Sequence, residues 1–257
     1  MFKEILKQPS ILLPKQHIFL CSHMRANTTL LGHILGSHPD ISGYYEHHIG
    51  YSSWKSLIRN KMKFSLENPA EPVTKYYFDK ILHNEHYVTD DILQRQNVSL
   101  FFMLRKPELT IKSIINLYRS IDPQNAFSSS EFATDYYIDR VNKIAEIARK
   151  YAQNKPIYYL DAESLVEDTE RTLQTISFWF ALSPELDAKY RLFTLTGKKH
   201  YGDSSENIKT GSIKKAKTGY KDIKLDSAML NKAEYAYGSA RTCLLDLAEQ
   251  QNYLATA

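Results

Sequence analysis

Glycine is sparse in this chain: nine in 257 residues. None falls in the turn after the first apolar run, His23-Met24-Arg25-Ala26-Asn27-Thr28-Thr29. Loops that wrap a phosphate ordinarily use glycine, which lets the backbone take unusual dihedrals and converge its N–H groups on the anion. Neither G-x-x-x-x-G-K-[ST] nor G-x-G-x-x-G occurs anywhere, so the common nucleotide-binding loops lose support. Cysteine is scarcer still, with only Cys21 and Cys243, far apart. That usage supports no disulfide framework and no cysteine zinc site, and it fits a reducing cytoplasm. No apolar run approaches the length that spans a bilayer, and the first residues hold no sustained apolar stretch with a small-residue cleavage site. The expectation is a soluble, cytoplasmic protein without an integral membrane segment.

Charge is also modest. A formal net charge of +4 suits a small anionic ligand and falls short of a nucleic-acid footprint. No H-E-x-x-H string occurs, and HNEH places His83 and His86 at i and i+3 with no evident third ligand, so no metal is expected.

What the chain does have is a large apolar fraction, 43%, against 24% charged, enough for one substantial core and a single domain over residues 1–257. The continuous apolar run HIFLCS (17–22) predicts a parallel strand buried on both faces. Apolar positions at helical spacing from Thr28 to Leu35 predict a helix ending between Gly36 and Pro39. A second buried strand is expected over 98–104, followed by a helix from Pro107 to about Ser120 with Ile111, Ile115 and Tyr118 as its apolar stripe. A third strand (156–161) precedes a helix running into SFWFAL, and a last helix is expected over 226–250. This alternation predicts an α/β fold with a central parallel β-sheet flanked by helices. Residues 60–76, 121–131 and 196–221 show weak periodicity and read as long loops.

Ligands of open parallel sheets bind beyond the carboxyl ends of the strands, where strand order reverses. Both strong strands end in polar, cationic turns. After the first, the N–H groups of a helix N-terminus, the Arg25 guanidinium and the hydroxyls of Thr28 and Thr29 can surround one anion. After the second comes Arg105, with Ser113 eight residues on, off the apolar stripe of its helix and able to face a ligand.

Together these turns resemble the sulfotransferases that use 3′-phosphoadenosine 5′-phosphosulfate (PAPS). Arg25-Ala26-Asn27-Thr28-Thr29-Leu30-Leu31 is similar to that family's [KR]-S-G-T-T-x-L loop, and Arg105 with Ser113 matches its later Arg and Ser. SHPDISGYYE is similar to the H-P-x-I-x-x-x-x-E segment that delivers a catalytic carboxylate. YYLDAESLVEDTERTLQTISFWFAL resembles the family's strand, E-x-L-V-x-D stretch and helix, and GDSSENIKTGSI resembles its late nucleotide-covering loop, placed here at about 196–221. The four stretches stand in the family's order.

The resemblance implies a P-loop-like, nucleotide-binding sulfotransferase fold and transfer of a sulfuryl group from PAPS to a hydroxyl of a small molecule, lipid or carbohydrate, leaving 3′-phosphoadenosine 5′-phosphate (PAP). It implies that Arg25, Ala26, Asn27, Thr28 and Thr29 hold the 5′-phosphosulfate, Arg105 and Ser113 the 3′-phosphate, and that Lys209 and Gly211 belong to the covering loop. Lys80, in FDKILHN, is similar to a second lysine that reaches the sulfuryl group. For the base that takes the acceptor proton, Glu46, His47, His48 and His83 are the candidates, with Glu46 favoured by its spacing from the donor loop. Two departures stand out: Arg25 offers a planar fork where many members have a lysine, and Ala26-Asn27 replaces Ser-Gly. Asparagine is the non-glycine residue that best tolerates the left-handed region. The alternatives are a nucleotide or small-molecule kinase of related topology and a non-catalytic PAPS-binding module.

Overall fold

The structure, a computed structural model, describes residues 9–69, 71–72, 74–198, 207–214, 220 and 222–255. Its centre is an all-parallel five-stranded sheet in the order β2-β3-β1-β4-β5. The strands are β1 (Gln16–Cys21), β2 (Ile41–Ser42), β3 (Tyr76–Ile81), β4 (Val98–Leu104) and β5 (Tyr158–Asp161). The helices are α1 (Thr28–Gly36), α2 (Trp54–Glu67), α3 (Asp90–Leu93), α4 (Pro107–Ile121), α5 (Ser130–Tyr151), α6 (Ser164–Glu167), α7 (Thr169–Trp179) and α8 (Ser227–Ala255).

Alternation along β1 builds the layers. Phe19 and Cys21 face a cluster filled by Ile111 and Ile115 of α4, Val141 and Ile144 of α5, and Ala240 and Leu244 of α8. Ile18 and Leu20 face the opposite cluster, filled by Leu31 and Ile34 of α1 and Leu173 and Ile176 of α7. Both faces of β1 are therefore covered, which is why its run is continuously apolar rather than alternating. The chain lays β2 and β3 on one side of β1 and β4 and β5 on the other. Strand order thus reverses between β1 and β4, and the crevice beyond their carboxyl ends is where such sheets bind ligands.

The expected elements are present: β1, α1, β4, α4, β5, the helix before SFWFAL and the last helix. Two expected loops are not loops. Residues 60–76 contain the second half of α2 and the start of β3, and residues 121–131 contain the end of α4, a 3-10 turn (Ala126–Ser128) and the start of α5. The inner face of α2 carries buried Ser56, Asn60 and Lys61, which broke the apolar pattern. Lys61 Nζ donates to Leu13 O at 2.7 Å, so its burial is compensated by a hydrogen bond. The third weak segment, 196–221, holds a 3-10 turn (Ile208–Thr210); residues 199–206, 215–219 and 221, with four of its seven lysines and all of GDSSE, lie outside the described residues. No helix among the described residues is long and apolar enough to cross a membrane.

Close packing brings one loop to the site. A Cβ on Gly32 would stand 2.3 Å from Tyr44 O, so only glycine lets α1 seat against the segment Tyr44-Tyr45-Glu46. Gly43, at φ 111°, turns the chain into that segment against the backbone of Phe78 in β3.

Candidate active site

The turn between β1 and α1 takes two left-handed residues, Arg25 (φ 63°) and Asn27 (φ 58°). Asn27 occupies the N-cap of α1 in the left-handed region that glycine would otherwise supply. Its side chain is also used: Nδ2 donates to Ala162 O at 3.0 Å, tying the turn to the end of β5. Ala26 is fully buried and packs in the α1 layer, which explains a methyl at that position. Thr28 and Thr29 begin the helix and, with Arg25, Asn27 and Arg105, line a cavity of about 360 Å³.

Arg25 and Arg105 line this cavity together, and buried Ser113 is tied to Arg25. Arg25 Nε donates to Ser113 Oγ at 2.9 Å, and Arg105 Nη1 donates to Arg25 O at 2.8 Å. Tyr220 Oη donates to the same Ser113 hydroxyl at 3.1 Å. Arg105 Nε is buried with no hydrogen-bond partner among the described residues, and so is Glu163 Oε2 on the other side of the cavity. A buried guanidinium N–H left unpaired is costly, and an anion in the cavity would satisfy it. Burial lowers the Arg105 pKa, with the Glu163 carboxylate opposing.

The second cluster stands where β3 ends. Lys80 is buried, and burial depresses its pKa while the Glu46 and Asp79 carboxylates pull it back up. Burial holds the Glu46 carboxyl up at about 7, against the attraction of Lys80 and Arg140. Asp79 accepts from the backbone N–H groups of His47 (2.9 Å) and Lys80 (2.7 Å) and from Tyr51 Oη, so it is a bracing residue. His47 is fully buried, with its pKa pushed down to about 3, and faces Tyr45 and Phe64. Burial also lowers His83, to about 4. His48, exposed and at φ 52°, puts Nδ1 3.6 Å from Glu46 Oε1. Glu46, His48 and His86 thus lie together, so of the two HNEH histidines only His86 joins a group, with Glu46 and His48 rather than His83.

Helix α5, absent from the elements expected above, fastens the strand ends. Tyr136 Oη accepts from Met24 N and donates to Leu82 O, each at 3.0 Å. Tyr137 Oη donates to Arg105 O at 2.6 Å. Arg140, buried, donates to Ser22 O at 2.8 Å, to Asn84 Oδ1 at 2.9 Å and to Ile81 O. His23 joins the turns after β1 and β4: its Nδ1–H donates to Met24 O (2.9 Å) and its Nε2 accepts from Arg105 N (3.0 Å). Burial keeps it neutral, with a pKa near 3, as that pairing requires. The signal for α5 was present as Tyr137, Val141, Ile144, Ala145 and Ala148 at helical spacing.

An aromatic wall stands beside Glu46. Tyr118 and Phe127 stack at 4.8 Å, Phe127 meets Tyr136 edge-on at 5.3 Å, and Tyr136 lies 5.7 Å from the His83 ring. On the far side of the anion cavity, Asn207, Ile208, Ser212 and Lys214 contribute to the lining. Lys209 lies against Gly197, and Gly211, at φ 68°, accepts from Tyr190 N at 2.9 Å.

Fold and site define an α/β protein with a cationic strand-turn-helix at the switch point of a parallel sheet. More particularly, the fold is that of sulfotransferases. The chain is similar to the sulfotransferase domain from the curacin biosynthetic pathway, with 18% identity, a TM-score of 0.54, and coverage of 87% of this chain and 97% of that one. It is also similar to sulfotransferase STF1 from Mycobacterium tuberculosis H37Rv, with 15% identity, a TM-score of 0.51, and coverage of 91% and 80%. No protein-family model and no curated protein matches the chain.

Proposed function

We propose that this chain transfers a sulfuryl group from PAPS to an acceptor hydroxyl. The observation that carries the proposal is the convergence of Arg25, Arg105 and the α1 N-terminus on one cavity at the β1/β4 switch point, with buried Ser113 hydrogen-bonded to Arg25. Arg25, Asn27, Thr28 and Thr29 would hold the 5′-phosphosulfate through backbone N–H groups, hydroxyls and the guanidinium. Arg105 and Ser113 would hold the 3′-phosphate, with the unpaired Arg105 Nε as a ready donor. The residues present fit a doubly anionic nucleotide. Asn207, Ile208, Ser212 and Lys214 support the reading of 196–221 as a covering segment.

PAPS, when bound, supplies an activated sulfuryl group and a phosphate leaving group. Catalysis of such a transfer is chiefly positioning and charge stabilisation. Lys80, beside Glu46, would offset charge gathering on the bridging oxygen. Glu46 would accept the acceptor's hydroxyl proton; with its pKa about 7, it is matched to a base working near neutrality. His83, lowered to about 4, is the poorer proton acceptor. The aromatic wall of Tyr118, Phe127 and Tyr136 supports an acceptor whose hydroxyl sits on an apolar or aromatic small molecule.

The test is transfer from sulfur-labelled PAPS to a panel of phenols, sugars and lipid alcohols. Labelled product from at least one apolar-flanked hydroxyl is expected. Binding of PAP without transfer to any acceptor would mark the chain as a nucleotide-binding module instead.

A further inference from the structure

Glu46, His48 and His86 bring one carboxylate and two imidazoles together, with one ligand atom from each all lying within 4.8 Å of one another. Glu46 Oε1 stands 3.6 Å from His48 Nδ1. The His48 and His86 rings are 5.4 Å apart between centroids and inclined at 62°. Tetrahedral zinc with bonds of about 2.0–2.1 Å holds its ligand atoms roughly 3.4 Å apart. The carboxylate–His48 edge is already near that length, and the other two, at most 4.8 Å, exceed it by no more than about 1.4 Å.

Two further observations point to a ligand. Glu46 Oε1 is buried with no hydrogen-bond partner among the described residues, so a lone pair faces the cluster. His48 takes φ 52°, a left-handed conformation uncommon outside glycine, and its ring comes back towards the carboxylate two residues earlier.

We propose that Glu46, His48 and His86 form a site for a zinc-class divalent ion, with a fourth position open to solvent or acceptor. Two imidazoles and one carboxylate select zinc, cobalt or nickel over magnesium and calcium, which prefer all-oxygen sets. The cations of Lys80 and Arg140 also face Glu46 and oppose a second positive charge, so affinity falls below that of a dedicated structural zinc site. His83, whose ring lies 6.2 Å from His86, is outside the cluster. A dication on one Glu46 oxygen withdraws charge from the carboxylate and lowers its basicity. Metal occupancy therefore opposes the base role of Glu46, a consequence that rests on the sulfuryl-transfer proposal, whereas the metal site itself does not.

The experiment titrates the full chain with Co²⁺, reading ligand-field absorption, and then displaces it with Zn²⁺. One equivalent is expected, with affinity falling more than about tenfold in His48→Ala and in His86→Ala, since loss of even an outer-shell partner costs about that much. His83→Ala should bind like the parent. Absence of binding by the folded parent protein, or equal binding by the His48→Ala/His86→Ala double variant, would overturn the site. In a parallel labelled-PAPS assay, saturating Zn²⁺ should slow transfer and a chelator should restore it; undiminished transfer by the metal-bound protein would overturn this antagonism. Failure of the metal-free protein to turn over any acceptor counts against the sulfuryl-transfer proposal, and the Co²⁺ titration decides the metal site by itself.

Discussion

Asn27 is the residue at which backbone and side-chain roles separate most cleanly. Its φ of 58° is a conformation that costs an ordinary L-residue roughly 1–2 kcal/mol, asparagine less and glycine nothing. Its Nδ2 satisfies Ala162 O, the acceptor of a fully buried residue, and losing that donor costs about 1–3 kcal/mol. Asn27→Gly keeps the backbone and loses the bond, so it should destabilise by about 1–2 kcal/mol, including the added freedom of the unfolded chain. Asn27→Ala loses both and should cost about 2–4 kcal/mol. At roughly 2–4 °C per kcal/mol for a chain of this size, the alanine variant should melt about 5–15 °C lower, and visibly below the glycine variant. Thermal and urea melts of the three proteins make the comparison. Alanine and glycine variants of equal stability would refute the left-handed strain, and a glycine variant as stable as the parent would refute the tie to β5.

Glu46→Gln should cut turnover about 100- to 10,000-fold, as removal of a general base does, with donor affinity nearly unchanged. In the parent protein kcat/KM should rise with pH through about 7 as the Glu46 carboxylate forms, then fall at higher pH as Lys80, depressed by burial, loses its proton; survival of the acidic limb in Glu46→Gln assigns it elsewhere. Arg105→Ala should weaken PAP binding about 10- to 100-fold while leaving an analogue without the 3′-phosphate little affected. Equal loss for both ligands places Arg105 in holding the Arg25 carbonyl instead. Arg140→Met, measured by urea denaturation, should destabilise by about 3 kcal/mol or more, because the carbonyls of Ser22 and Ile81 lose their donor; a change below about 1 kcal/mol contradicts that bracing role.

The parts of the fold that could be read in advance were those governed by one simple period. The run HIFLCS is buried on both faces, and Pro107 with Ile111 and Ile115 marks a helix start and its stripe, so β1, β4, α1 and α4 were legible. Strand β3 was not, because Asp79 and Lys80 are polar residues buried inside it, their burial compensated by Tyr51, His47 N–H and the opposing charges. Nor was α2, whose inward Asn60 and Lys61 interrupt its apolar face. The turn after β1 and its hydrogen-bonded neighbours Arg105 and Ser113 were picked out together by motif order. The residues that fasten them, His23, Tyr136, Tyr137 and Arg140, were not, since each acts through a hydrogen bond to backbone distant in the chain. The grouping of Glu46 and His48 with His86 likewise depends on the end of β3 lying beside the segment that Gly43 turns inward.

The central claim is that the cavity at the β1/β4 switch point is built for a nucleotide with phosphates at both ends of its ribose. Calorimetric titration of the purified chain with PAP at low salt tests it most directly. One equivalent should bind with favourable enthalpy, and the analogue lacking the 3′-phosphate should bind at least about tenfold more weakly, the difference expected from one charge-assisted pair. A folded protein that binds neither nucleotide, or binds both equally, would contradict it.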